Sequence, residues 1–433
     1  MKCVCALLGL SLWLAAQPIA FIHANVVDVA GGRLLPDTTV IVQGDRITDV
    51  GKSAELRVPP HSRRIDVGGK FMLPGLWDMH VHLSYATESA LPLLLANGVT
   101  GVRDMGSLLS QIDKWRGEIE LGTRSGPRII RAGPMLNGQS FNQYQMLVAN
   151  PDEARGAVRA LRQAGVDFIK IHRRLSRDSY FAILDEAKKQ GLRVVGHVPL
   201  TVTTEEASDA GQASIEHTET LFEAAVTKGE LLDLNGASIR NYLAEHGANV
   251  FARFVANHTV FTPTLSAWKA ELAAREASPP DPNYRYVARS LRATKLPPAD
   301  IPLREVFGAF CDVVRAAHAA GVTIMAGTDT SAYPRIPGFL LHDEMETLVE
   351  CGLTPAEALR AATAVPAQLM GRTNDFGGIQ AGKIADLLLL DANPLENIGN
   401  TRRLWAIVFG GKVLQQAEIQ GLLRETERLA AAN

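Results

Sequence analysis

The sequence predicts an α/β protein, a (β/α)8 TIM-type barrel carrying a small sheet domain assembled from both ends of the chain, and three observations lead there. The middle of the chain repeats helix, glycine and apolar strand, as in DEARGAVRALRQAG before VDFIKIH and SRDSYFAILDEAKKQG before LRVVGHV. That is the alternation of a parallel sheet. Eight apolar strand candidates occur in this stretch, the number that closes such a barrel. Short alternating β segments flank it on both sides, so a small sheet should be built jointly by the two termini.

Taken in order, the first twenty residues, MKCVCALLGLSLWLAAQPIA, combine Lys2 with an apolar run from Val4 to Ala16 and small residues near the end. They resemble a secretory signal peptide, which implies an exported protein, periplasmic or secreted. From Phe21 to about Leu73, segments such as FIHANVVDV and TTVIVQGDRITDVG alternate between Gly and Asp turns and read as antiparallel strands. The barrel strands are expected at Trp77–His82, Val99–Arg103, Arg128–Ala132, Phe168–His172, Arg193–His197, Ser214–His217, Val260–Pro263 and Thr323–Gly327. Gly165 and Gly191 sit where helix C-caps are wanted, just before two of them. The stretch 270–302, with SPPDPNY and KLPPADIP, reads as an insertion over the barrel mouth, structural or in contact with substrate. GGIQAGKIADLLLLD and RRLWAIVFGGKVL then return to β patterning. The expected organisation is a leader at 1–20, a small sheet domain from 21–73 and 378–415, a barrel at 74–377, and a C-terminal helix at 416–433.

Composition narrows the function. The 433 residues are 46% hydrophobic and 21% charged, and 44 basic against 46 acidic residues leave a net charge of −2. Such a balance gives no electrostatic footprint for nucleic acid and no polybasic membrane patch, so the expected partner is a small molecule. No stretch after the leader reaches the roughly 20 uninterrupted apolar residues of a membrane span. Of the four cysteines, Cys3 and Cys5 lie in the leader, and Cys311 and Cys351 fall in helical stretches, so no disulfide framework is expected.

His80 and His82 end the first barrel strand in LPGLWDMHVH. Residues two apart on a strand project to the same side, and barrel enzymes assemble their sites at C-terminal strand ends. Lys170 in DFIKIH, His197 in VVGHVP, His217 in SIEHTE and Asp329 just past MAGT fall at strand ends of their own. A lone histidine there is ordinarily a satisfied core residue; six such placements together indicate a metal site.

This pattern resembles the amidohydrolase superfamily: HxH after the first strand, Lys on the fourth, His on the fifth and sixth, Asp after the eighth. Imidazolonepropionase-like amidohydrolases and the metal-dependent prolidase and dipeptidase branch share LPGLWDMHVH, GVTGVRDMG, AGTDT and LTPAEALRAAT with this chain. The resemblance covers nearly the whole chain and implies that the terminal strands form a small β-sandwich. It also implies two divalent metal ions, usually zinc. His80, His82 and Asp329 would hold one and His197 and His217 the other, with Lys170, carboxylated by CO2 to a carbamate, bridging them. Asp329 would then serve as general base and, in turn, acid.

For substrate contacts the sequence offers Tyr85, His172, Arg173 and Tyr333, in loops that follow strands. Arg173 suits a carboxylate, although an exposed arginine is commonly just solvated surface. His172, two residues beyond Lys170, could touch substrate, support a ligand, replace one, or simply pack at the rim. The expected reaction is hydrolysis of a linear amide, a dipeptide or N-acyl amino acid. Opening of a cyclic amide or lactone is the alternative, and a scaffold that has lost its chemistry is a third, disfavoured by the complete ligand set. After the sixth-strand histidine the prolidase branch tends to continue Gly-Ser-Tyr, whereas this chain has Thr218-Glu219-Thr220. Relatives often oligomerise, so a homo-oligomer is compatible with the pattern.

Overall fold

The computed structural model describes residues 17–222, 234–276, 281–292, 296, 299, 301–331 and 333–432. Most of the leader, with Cys3 and Cys5, and part of the 270–302 insertion therefore lie outside the described residues.

Five strands open the described chain: β1 (Ile19–Asp28), β2 (Arg33–Gln43), β3 (Arg46–Lys52), β4 (Arg63–Asp66) and β5 (Phe71–Pro74). Gly44, at φ +61°, supplies the left-handed residue that a two-residue hairpin between β2 and β3 needs. Nine short strands follow: β6 (Leu76–Val81), β7 (Val99–Asp104), β8 (Arg128–Arg131), β9 (Met135–Asn137), β10 (Gln145–Leu147), β11 (Ile169–Ile171), β12 (Val194–Gly196), β13 (Ser214–Glu216) and β14 (Val260–Thr262). The last three are β15 (Leu387–Leu390), β16 (Leu404–Phe409) and β17 (Lys412–Leu414).

Strands from both ends meet in one eight-stranded sheet, ordered β17-β16-β15-β5-β1-β2-β3 with β4 on β1. The expected antiparallel pairing needs one correction, because β1 runs parallel to both β4 and β5. The long segment 53–62 carries the chain back across the sheet between β3 and β4, a return that a tight hairpin cannot make. The sheet has its own apolar cluster, in which Phe21, Val40, Met72, Leu387 and Leu389 are buried. Each such side chain contributes about 1.5–3 kcal/mol on leaving water.

The middle of the chain forms parallel sheets wrapped by helices. The helix Pro151–Gln163 shows why: Asn150 caps it by accepting from the Glu153 amide, Pro151 occupies the first turn, and Ala154, Ala157, Val158 and Leu161 form its buried stripe. It ends where Gly165 takes φ +73°, as its sequence position predicts, and Gly191 does the same at +68° after Arg177–Lys189. β6, β7 and β8 pair in that order, and β9 to β14 form a second sheet. The two are joined where the Asp167 amide donates to the Arg131 carbonyl (2.9 Å).

The eighth expected strand departs from regularity. Thr323–Gly327 makes isolated bridges rather than a continuous ladder, with Phe261 opposite Ile324 and, further on, Val81 opposite Thr330. Even so, the Met325 amide donates to Phe261 (2.9 Å) and the Met79 amide to Ala326 (3.1 Å), so the segment lies between β14 and β6. A Cβ at Gly327 would stand 2.8 Å from the His80 Cβ, so only glycine permits so close an approach to β6.

One further correction concerns side-chain linkage. Cys311 and Cys351 form a disulfide, with Cα atoms 4.9 Å apart. The helix Leu303–Ala319 places Cys311 beside the end of the helix Phe339–Glu350, and this proximity across 40 residues is invisible to cysteine spacing alone. In the described segment 281–292 of the insertion, Tyr286 and Val287 pack against Leu93 and Ile336. Arg285 there also pairs with Glu427 (3.0 Å) of the C-terminal helix Gln416–Ala432. Among the described residues no helix is long and apolar enough to cross a membrane.

Candidate metal centre

The six residues singled out above converge where the parallel strands end. His80 lies within β6 and His82 just beyond it, Lys170 is in β11, and His197 and His217 directly follow β12 and β13. Asp329 reaches the same place from the irregular segment. Its Oδ1 lies 3.5 Å from His80 Nε2 and 3.3 Å from His82 Nε2. His80, His217 and Asp329 each offer a ligand atom, and these atoms lie within 4.8 Å of one another. Ring centroids continue the cluster, with His80 to His217 at 4.5 Å, His217 to His197 at 4.6 Å and His197 to His172 at 4.4 Å. The expected division placed His217 with His197, yet its ring sits as close to His80.

Backbone and partners aim these rings. His217 and Asp329 adopt φ of +70° and +54°, left-handed values that non-glycine residues seldom take and that turn their side chains inward. Thr264, at φ +53°, places its hydroxyl 2.9 Å from His217 Nδ1. His82 Nδ1 lies 3.2 Å from the Gly106 carbonyl, and His80 Nδ1 lies 3.0 Å from Glu216 Oε2. In all three the Nδ1 edge is occupied, so Nε2 faces the centre.

The residues present fit a bound cation. His80 Nε2, Lys170 Nζ, His172 Nδ1 and His197 Nδ1 are buried without hydrogen-bond partners. Buried polar atoms are nearly always satisfied, so four orphans around one point mark a place built for something else. Burial, reinforced by the Lys170 charge, pushes His80 down to about 3 and His172 likewise to about 3. Burial first, then neighbouring imidazoles and Lys170, holds His197 and His217 well below the ordinary histidine value. Neutral imidazoles are the form that binds metal. Lys170 is pushed down by burial to about 8, toward the neutral amine. Burial would raise the Asp329 carboxyl, but the Arg335 guanidinium, with help from His82, holds it well below the usual range.

A cavity of about 350 Å³ opens onto this cluster. Tyr85, His172 and Arg173 line it, as the sequence suggests, together with Glu219, Trp268 and Glu271. Tyr85 stands edge-on to His82, and its hydroxyl accepts from Asn142 (2.8 Å). Tyr333 is placed elsewhere: it packs on Tyr284, with ring centroids 4.9 Å apart, and does not line the cavity. Arg335, two residues beyond Tyr333, binds the Asp329 carboxylate and donates to the Asp329 carbonyl (3.2 Å). Sequence reasoning missed the buried pair of Arg103 and Glu216 (2.8 Å). Their signal was present, since a charge of each sign inside apolar strands must find a partner.

Comparison with known proteins agrees with this architecture. Residues 71–425 match the amidohydrolase family, and the chain belongs to that family. Further, it is a metal-dependent hydrolase acting on carbon–nitrogen bonds. It is 26% identical to ochratoxinase of Aspergillus niger over 88% of this chain and 82% of that one. Imidazolonepropionase of Pseudomonas paraeruginosa is 25% identical over 84% of this chain and 90% of its own. Among solved structures, a candidate prolidase of Bifidobacterium longum is 28% identical, with a TM-score of 0.71 over 95% of this chain and 99% of that one.

Proposed function

We propose that this chain hydrolyses the amide bond of a dipeptide or an N-acyl amino acid at a binuclear zinc centre at the mouth of a closed (β/α)8 barrel. The observation that carries this is the convergence of partnerless buried nitrogens and the Asp329 carboxylate on one cavity. His80, His82 and Asp329 would hold one ion, and His197 and His217 the other. Lys170, carboxylated by CO2, would bridge them, since an ammonium cannot ligate a cation. When bound, such ions polarise a carbonyl and acidify water.

The chain's own groups supply the rest. Asp329 faces the cavity and can take a proton from the attacking water and deliver it to the leaving nitrogen, without which an amine leaves poorly. Arg335 holds the far oxygen of that carboxylate, which fixes its orientation. Arg173 lines the cavity where a substrate carboxylate would be gripped. A volume of about 350 Å³ suits a dipeptide-sized molecule. Similarity to the candidate prolidase, at 28% identity, supports a dipeptide.

Backbone bonds from Thr323–Thr330 to both β14 and β6 support barrel closure, and the separate apolar cluster of the eight-stranded sheet supports a small β-sandwich domain from 21–73 and 378–415. Export through a leader at 1–20 is supported by the Cys311–Cys351 disulfide, because such bonds persist in oxidising compartments.

Elemental analysis and turnover of linear and cyclic amides, on wild type and Lys170→Ala, test the proposal. Two metals per chain, cleavage of linear amides and a loss of at least about 10³-fold in the variant are expected, since the metal contributes several kcal/mol to the transition state. Opening of rings alone would overturn the linear-amide assignment. Full metal content in Lys170→Ala would remove that residue from the centre.

A further inference from the structure

We propose that the buried Arg103–Glu216 pair is a positioning device for metal binding, fixing His80 in the tautomer that carries its proton on Nδ1 and leaves Nε2 free for a cation. The inference rests on the reading of His80 as a metal ligand.

Arg103 and Glu216 are 1% and 0% exposed, and every polar nitrogen of the guanidinium is committed. Nη2 donates to Glu216 Oε1 (2.8 Å), Nη1 to Ser214 Oγ (3.0 Å) and Nε to the Met79 carbonyl (2.6 Å). Arginine keeps its charge in proteins, so the carboxylate it grips is an acceptor only. Its second oxygen lies 3.0 Å from His80 Nδ1, which must therefore be the donor. The proton is thereby excluded from Nε2, which is buried, partnerless and 3.5 Å from Asp329 Oδ1. A bare imidazole nitrogen and a carboxylate oxygen so close repel one another with nothing between them. A cation seated there reverses the sign.

The other imidazoles are fixed less firmly. Thr264 beside His217 carries a hydroxyl that can donate or accept, so it leaves the tautomer open. Gly106 gives His82 a neutral carbonyl at 3.2 Å. His80 is the one of these three with an ionised partner. Stability alone is a poor reason for such a pair, because buried ion pairs can often be replaced by apolar side chains without loss.

Glu216→Gln makes the proposal sharp. Arg103 still requires an acceptor, so the amide oxygen turns to it and the NH2 group faces His80 Nδ1. That reverses the tautomer and places the proton on Nε2, where the metal belongs. The experiment uses the metal-stripped full-length chain, with ¹⁵N-labelled histidine observed by NMR and Zn²⁺ affinity measured by chelator competition. Wild type should show His80 protonated on Nδ1, and the variant should show Nε2–H with Zn²⁺ affinity lower by about 10–100-fold, the range for loss of a partner that orients a metal ligand. Wild-type His80 protonated on Nε2, or averaging between forms, overturns the proposal even if the variant fails to fold. Equal Zn²⁺ affinity in a folded variant overturns it as well. A wild-type chain that binds no Zn²⁺ removes the metal-centre reading instead, a result distinct from both.

Discussion

At the residue scale, Asp329 concentrates the conflict between structure and chemistry. Its carboxylate is bonded by Arg335, lies close to two imidazoles and lines the cavity. Asp329→Asn keeps the shape and removes the proton acceptor, so kcat/KM should fall by about 10²–10⁴-fold in steady-state assays with an amide substrate. A smaller loss would assign the proton transfer to another group. The histidines and Lys170 were legible because strand ends are identifiable from apolar runs and their residue types are chemically unusual there. Glu216 was not, although it precedes His217 by one position. Its meaning depends on Arg103, and only folding brings together residues separated by 113 positions. Tyr333 was misplaced for a related reason: following a strand does not decide which wall of a loop a side chain faces, and packing on Tyr284 decided it.

At the scale of elements, the helix Leu265–Glu276 brings Trp268 and Glu271 to the cavity and is itself held by a neighbour. Glu344, fully buried in the helix Phe339–Glu350, accepts from the amides of Leu265 (3.2 Å) and Ser266 (2.6 Å). Burial pushes its carboxyl up to about 7 despite those bonds. An acid whose folded value exceeds its unfolded one binds more protons when folded. Its presence therefore makes stability fall as pH rises from about 4.5 to about 7. Glu344→Gln should flatten the stability profile across that window, by at most about 3 kcal/mol, in urea unfolding at stepped pH. An unchanged slope would place the titration elsewhere. The disulfide ties the same helix to Leu303–Ala319. Replacing Cys311 and Cys351 by serine should lower unfolding free energy by about 2–4 kcal/mol and abolish any effect of reductant. Helix and strand periodicity predicted most of these elements, whereas β9 and β10 escaped because no helix directly precedes either one, so the helix–strand alternation does not mark them.

For the whole molecule, the terminal sheet and the parallel strands are joined by Arg128 of β8, which grips Asp386 through Nε (2.7 Å) and Nη2 (3.2 Å). Asp386 is buried while Arg128 is partly exposed, so Arg128→Ala strands a charge and should cost about 2 kcal/mol, below the range for fully buried pairs. Calorimetry would show the loss; an unchanged transition would mean that water replaces the guanidinium. The two-ended construction was readable because β patterning returns at the C-terminus. The parallel neighbours of β1 were not, because strand order depends on the path of segment 53–62 rather than on the alternation within any strand. The left-handed backbone at His217, Thr264 and Asp329 has a consequence for how such a chain can change over generations. Each of these conformations costs of order 1–3 kcal/mol, which glycine would largely relieve. A lineage selected only for a sturdier fold is therefore drawn toward erasing side chains gathered at the candidate metal centre. Turnover and stability pull in opposite directions at three addresses in one polypeptide.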